Sequence, residues 1–439
     1  MEPIYEAIFS FSTYNFVNRQ VCADFRRIAP VTSHGFHLNQ LLKEGKEIEF
    51  PPSASMFNVA YAENLVHLLD FNREHVLRDI CKRTMGEGKL EVLQWARAND
   101  YAWDEWTFTN AAKNGLLEVL QWAKANGCPW NEEAYSAAAE GGHLEVLKWL
   151  RANNCPWNEN VYNSAIRNRN LEIVQWAKAN GCPWDERVCS DAAWFDFEIL
   201  QWMRANGCPW DERVCSGAAG SGNLEMLQWA RANGCPWNEM SCSSAAYGGH
   251  LEVLQWLRAN NCPWNAGTCI SAASYGHLEL LQWARANGCP WNELVCSEAA
   301  VKGHLEVLQW VRSANCPWNE ETCYKAMTAN HVQVLKWARE NGCPWDERVC
   351  TNAVLYSDLE TLKWARANGC PWDERVCAEA AYGGDLEILQ WARANGCPWN
   401  ERVYSVALER GNAELVKWIE ENSSFVEQVA PVEDPIFLM

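Results

Sequence analysis

The chain of 439 residues contains no run of 18 or more apolar residues, so no segment has the composition of a membrane-spanning helix. Its opening, MEPIYEAIFSF, lacks the basic segment and small-residue cleavage site of a secretory signal, and an intracellular protein, cytoplasmic or nuclear, is expected. Positive charge is scarce: 37 Lys and Arg stand against 56 Asp and Glu, a formal charge of −19. Such a chain repels a phosphate backbone and an anionic membrane surface alike, so neither nucleic acid nor membrane is expected as a partner. Signatures of catalysis are missing too. With no Gly-rich phosphate loop, nucleophile elbow or HExxH pair, no enzyme, cofactor, metal or small-molecule substrate is expected.

What the chain has in excess is tryptophan and cysteine, and both are periodic. The Trp of the phrase LEVLQWARANG recurs thirteen times from Trp95 to Trp418, always 27 residues apart except for one interval of 26 between Trp176 and Trp202. A second Trp follows eight residues later twelve times, in YAWD at Trp103 and in CPWN or CPWD at the other eleven, and only Trp106 and Trp194 fall outside the two columns. Nineteen of the 21 cysteines also recur at two fixed positions, which marks them as reduced structural letters rather than a disulfide framework. Repetition overrides the two or three ordinary domains that length alone suggests.

One unit, Asn292 to Trp318, reads NELVCSEAAVKGHLEVLQWVRSANCPW. Asn292 is placed to cap a first helix, with Glu293 at the positive end of its dipole. Gly303 ends that helix, His304 opens a second, and Glu306 early and Arg312 late suit the second dipole. In most copies an ANG glycine then supplies a left-handed cap before a Cys-Pro that cannot continue a helix. The apolar letters expected inside are Val295, Cys296, Ala299 and Ala300 in the first helix and Leu305, Val307, Leu308, Trp310 and Val311 in the second. A lone pair of such helices cannot bury its Trp, so stability must come from nearest-neighbour stacking. The expected fold is an all-α solenoid of about thirteen helix-turn-helix repeats over residues 86–421, a curved rod on the order of 100 Å long. Degenerate repeats over 31–85 precede it, and a tail, 422–439, follows.

The recurring reactive letters have simple readings. Pairs such as Cys182 with Cys189 and Cys370 with Cys377 are spaced C-x6-C, whereas zinc sites favour C-x2-4-C with four converging ligands. Core packing is the expectation, a metal or redox ladder the alternative. The Trp columns also read as core, with base stacking as the alternative. One basic residue per repeat, such as Arg97, Lys124, Arg204 and Arg393, follows a Glu by six positions in nearly every copy, the order a helix dipole favours, and reads as a solvated face.

Variation among copies is not scattered. Counting from the capping Asn or Asp, positions +2, +6 and +9 change freely while +4, +7 and +8 hardly change, and the free positions share one face of the first helix. The candidate partner-binding residues are Arg187, Asp191, Trp194, Phe195, Arg213, Tyr247, Tyr275, Glu298, Val301, Leu355 and Tyr382. The 26-residue interval has lost the turn glycine at AAWFDFE, beside Trp194 and Phe195, whose rings alternatively fill the gap left by the shorter turn.

From Ala299 the letters AAVKGHLEVLQWVRSANCPWN resemble the ankyrin repeat, in which AA, two variable residues and GH precede LEVV, an apolar run and GADVN. The resemblance covers residues 86–421. It implies a structural role for the GH-step histidines, His143, His250, His277, His304 and His331, a partner-facing concave side lined by the first helices, and protein binding rather than chemistry. The unit is about six residues shorter than the usual ankyrin repeat, and the loss falls where the family places its β-hairpin finger. This Cys-Pro-Trp form is similar to arrays expanded in giant viruses and some algae. Residues 1–30 carry a second resemblance, to an F-box. Pro3 and Ile4 stand near its opening Leu-Pro, Ile8, Phe9 and Phe11 in its first helix, and Val21, Cys22 and Phe25 in its closing VC-x-x-W/F helix. The Leu before Pro is absent and the spacing is one residue short. The F-box resemblance implies docking on the Skp-type adaptor of a cullin ubiquitin ligase, with the solenoid selecting the substrate. Without it the segment reads as a helical cap.

Overall fold

A computed structural model describes residues 34–48 and 51–423. Among them are twenty-nine α-helices, one 3-10 turn at Arg73–His75 and no strand, so the repeats are helix pairs without β-hairpin fingers. No helix among the described residues is long and apolar enough to cross a membrane.

The repeat from Asn292 shows how each letter acts. Asn292 is extended (φ −144°, ψ −173°) and its side chain accepts the N–H of Leu294 at 3.2 Å, opening helix Glu293–Val301. The second helix, Leu305–Ser313, follows the turn. Asn or Asp at the start of a second helix caps it in most copies: Asn223 accepts the N–H of Met226 at 2.9 Å, and Asp358 that of Thr361 at 2.9 Å, whereas Asp385 accepts from the Ser357 hydroxyl of the previous repeat. The histidines at this step do something else. The ring Nε2 of His277 lies 3.1 Å from the carbonyl oxygen of Tyr247, and that of His304 3.2 Å from that of Ser274, so each ties its repeat to the one before. In the closing loop, Gly288 sits at φ +84° with open space where a β-carbon would go, so only the left-handed backbone demands it. Asn154, Asn261 and Asn315 take the same turn at φ 56°, 62° and 60°, Asn being the residue that tolerates this region best after Gly.

The described chain divides into two compact units, one reaching to Val188 and including Phe195–Cys208, the other made of Cys189–Trp194 and the residues from Pro209 on. In each, successive first helices lie directly against one another and each second helix packs on its own first helix, while successive second helices stand farther apart. Val295, Cys296, Ala299, Ala300, Val307, Leu308 and Val311 are buried as expected. Burial of each large aliphatic side chain stabilises by about 1.5–3 kcal/mol. Leu305 and Trp310, expected in that core, are only half-buried, and so is every Trp of both columns.

The reason lies in the loops. Each loop Trp packs edge-to-face against the helix Trp of the next repeat, as Trp291 does on Trp310 with centroids 6.0 Å apart at 66°. The basic residue late in the second helix lies over the loop Trp, from 3.6 Å for Lys178 on Trp184 to 4.5 Å for Arg339 on Trp345. Arg285 also donates to the carbonyl of Cys289 at 3.2 Å, and Arg258 and Arg312 make the same bond to Cys262 and Cys316. The basic stripe is therefore a row of cation–π clamps rather than a solvated face. Beneath it, the loop thiols reach the carbonyl of the cap 24 residues earlier, as Cys289 does to Asn265 at 3.5 Å and Cys370 to Asp346 at 3.3 Å. In the 26-residue repeat the tie runs from Cys208 to Asp185, 23 residues back, at 3.7 Å.

All twenty described cysteines are buried and none is in a disulfide. Burial pushes the thiols of Cys128, Cys155 and Cys182 up to about 12 from an ordinary value of 9. Below pH 9 folded and unfolded chains hold these protons equally; between 9 and 12 only the unfolded chain releases them, so stability falls as pH rises through that window. Two outcomes follow: Ellman's reagent should leave these twenty thiols unmodified in the native protein at pH 8 and titrate them in denaturant, and the thermal midpoint should drop from pH 8.5 to 10.5.

Candidate partner-binding surface

The tight stacking of first helices puts their +2, +6 and +9 positions in rows along each unit. Small residues at +7 and +8, such as Ala299 and Ala300, are buried between neighbouring helices and leave the next position outside. Ion pairs cross the rows: Lys113 with Glu140 at 2.6 Å in the first unit, and Lys325 with Glu298 at 2.6 Å and Arg348 with Glu321 at 2.7 Å in the second. As side chains more than a quarter exposed, these pairs register the helices more than they stabilise them.

In the second unit the candidate aromatics come together. The indole of Trp194 lies across Gly217 and Gly220: a β-carbon on Gly220 would fall 2.2 Å from the ring, and one on Gly217 3.1 Å away. Beyond the glycines Trp194 meets Tyr247 edge-on, with centroids 6.4 Å apart, and Tyr247 packs on Tyr275 at 4.3 Å. All three rings stay exposed, at 38 %, 46 % and 46 %. Crowding by its surroundings and the neighbouring Tyr247 hydroxyl raise the Tyr275 phenol above its ordinary value. Glu298 is half-buried, accepting from Lys325 and from the Ser274 hydroxyl at 3.4 Å. Val301 is half-buried, Arg213 is exposed and paired with Asp211 at 3.3 Å, and Asp191 is half-buried. Farther along, Leu355 and Tyr382 are each 54 % exposed and line a cleft of about 480 Å³ with Glu379 and Arg410, whose guanidinium lies 3.7 Å over the Tyr382 ring.

In the first unit Arg187 is exposed and Phe195 lies 5.9 Å beneath the guanidinium of Arg167. Trp194 and Phe195, adjacent in sequence, thus belong to different units and different contacts. At the shortened repeat, helix Glu186–Phe195 runs directly to Asp196, extended at φ −153°, which caps the next helix through the N–H of Ile199 at 2.9 Å. With the glycine lost, Asp196 alone separates the two helices. Trp106, outside both Trp columns, is the most exposed large apolar residue among the described residues, at 60 %, and lines a cleft of about 450 Å³ with Glu133, Glu140 and Asn163. Its signal was available, for it stands at the freely varying +2 position. The F-box-like residues Pro3, Ile4, Ile8, Phe9, Phe11, Val21, Cys22 and Phe25 lie outside the described residues.

Among the described residues no three His, Cys, Asp or Glu side chains are grouped to hold a metal. Fold and face define a helical-repeat scaffold, and the comparisons sharpen that class. A family model described as "Ankyrin repeats (many copies)" matches residues 214–258, so this stretch is similar to ankyrin repeats. No curated protein matches. Similar solved structures include the human ASB11 ankyrin repeat domain, 20 % identical over 36 % of this chain and 84 % of that one with a TM-score of 0.31. The pentatricopeptide repeat protein PPR10 in complex with an 18-nt psaJ RNA element is 16 % identical over 87 % of this chain and 69 % of that one, TM-score 0.36. The pentatricopeptide repeat protein PPR10 from maize is 12 % identical over 92 % of this chain and 76 % of that one, TM-score 0.28. At TM-scores this low, neither protein bears on what this chain binds.

The glycine seat of Trp194 yields a signed expectation. Gly220→Ala should lower the denaturation midpoint, because the new methyl evicts the indole and forfeits about 1 kcal/mol of aromatic packing. In a Trp194→Ala background the same change should instead stabilise by about 0.5–1 kcal/mol, as alanine in a helix ordinarily does. A double-mutant cycle in urea reads both signs.

Proposed function

We propose that the chain binds a protein partner on the exposed face of its first helices, with the Trp194–Tyr247–Tyr275 ridge as the main contact and the Tyr382 cleft as a second. The observation that carries this reading is the ridge itself: three large aromatic rings held rigid by one another, yet open to solvent, on the only face whose letters vary. Pre-packed aromatics lose little side-chain freedom on binding and supply most interface hot spots. Affinity of a captured partner should fall about thirtyfold or more for alanine at Trp194 or Tyr247, equivalent to about 2 kcal/mol, with folding intact by circular dichroism. Unchanged affinity across alanine variants of Trp194, Tyr247 and Tyr382 would show the partner to be elsewhere.

The F-box resemblance of residues 1–30 supports a finer proposal: that this scaffold is the substrate receptor of a cullin-type ubiquitin ligase inside the cell, held by a Skp-type adaptor through that segment. Purification of the full chain from a eukaryotic extract, beside a chain lacking residues 1–30, should bring down adaptor and cullin only with the former. Their absence from both leaves a plain binding scaffold.

A further inference from the structure

Within the second unit one repeat departs from all others on the proposed binding face. Its first helix, Ala266–Ser274, reads AGTCISAAS and carries no charged residue, where every other first helix from Glu105 onward carries at least one. At +2, where neighbouring copies place Met240 and Leu294, it has Gly267, the one +2 position without a side chain. Its backbone does not require glycine: Gly267 is a helical residue without positive φ, and its N–H is held by Asn265 at 2.8 Å just as Met240 is by Asn238 at 2.9 Å with a full side chain in place. The cost of glycine in a helix is therefore spent without a local conformational return.

Its absence leaves a gap in a wall. First helices Glu239–Tyr247, Ala266–Ser274 and Glu293–Val301 are packed side by side in one register, so Met240, 51 % exposed, and Leu294, 41 % exposed, stand one repeat to either side of Gly267. The floor is polar and close: a Gly267 β-carbon would stand 2.8 Å from the Asn265 side-chain oxygen and 3.1 Å from the Ser243 hydroxyl. The C-terminal end of the same helix face carries Tyr247 and Tyr275. Around the gap the charges are Glu239 and Glu293, neither in an ion pair among the described residues, the paired Glu298 and Lys325, the paired Arg213 and Asp211, and the exposed Lys302. The two unpaired carboxylates sit one residue from the gap's walls.

We propose that Gly267 opens a notch for a single large apolar side chain of the partner, borne on a segment with Lys or Arg on either side of it. Met240 and Leu294 close on the anchor from both sides, and Glu239 and Glu293 face the flanking cations. The proposal rests on the first-helix face being the binding surface and adds the chemistry of what it takes. Apolar capture gives the affinity and the carboxylates give the register, in a chain whose overall charge of −19 already draws basic segments.

The test uses the full chain immobilised as bait for a displayed library of random fifteen-residue peptides, followed by fluorescence anisotropy with the synthesised consensus peptide. Enriched peptides should share one Leu, Met, Phe or Trp flanked by basic residues. Gly267→Leu, which restores the side chain present at this position in the neighbouring copy, should weaken the consensus peptide at least tenfold while its circular-dichroism melt matches the parent. Glu239→Gln with Glu293→Gln should weaken it severalfold and flatten its salt dependence, a readout that does not depend on Gly267→Leu folding. Peptides that bind Gly267→Leu as tightly as the parent, or that carry no basic flank, overturn the notch. If those peptides are nonetheless lost on Trp194→Ala or Tyr247→Ala, the face remains the binding surface and only the notch fails. If they are insensitive to all of these changes, both fall, and failure to enrich any peptide counts against the notch.

Discussion

The structure depends on a constraint of size: a helix pair of 27 residues is too small to bury the two indoles it carries, so each repeat is completed by its neighbour. The completion is chemical as well as geometric. A loop indole lies between the guanidinium of its own second helix and the indole of the next, and a loop thiol reaches the carbonyl of the cap below. Each contact is modest, with a cation over an indole worth about 0.5–2 kcal/mol. Repeated along the array at fixed spacing, they make the Cys-Pro-Trp loop the joint of the assembly, in the place where a longer repeat would have a finger.

This division of labour leaves the first-helix face free. Because the joints lie in the loops and the core letters lie between layers, residues at +2, +6 and +9 are constrained only by their neighbours along the face, through ion pairs and ring contacts, and by whatever docks there. That freedom explains how an aromatic ridge, a glycine notch and a row of ion pairs coexist in successive copies of nearly identical repeats. It also explains why Trp194 is accommodated: Gly217 and Gly220 clear its path without disturbing the buried Ala218 and Ala219.

Much of this was legible in the letters. Asn292 reads as a cap and is one, Gly288 reads as a left-handed turn and adopts it, and Val307, Leu308 and Val311 read as core and are buried. What periodicity could not convey is partnership between columns. A Cys and an Ala are equally small and apolar, so the thiol-to-carbonyl ties were invisible. A half-buried Trp scores like a buried one, and Arg285 suits a helix dipole and an indole face equally well. The binding face was found by variation, but its membership was blurred at the helix end, where Ser274 at +9 is buried and Tyr275 at the following position carries the exposed ring. Trp106 lies outside both Trp columns, and only its register at +2 marks it as exposed.

The thiol ties carry one more implication, for how the chain reaches this state. Each spans 24 residues or fewer, and each indole pair spans fewer still, so contacts that join repeats are local in sequence. Chains organised this way fold quickly for their length and can begin at any well-formed stretch, since no distant segment has to arrive first. A ribosome delivering this protein would therefore release a growing, already structured column, in which an error in one repeat is felt by its two neighbours and by little else.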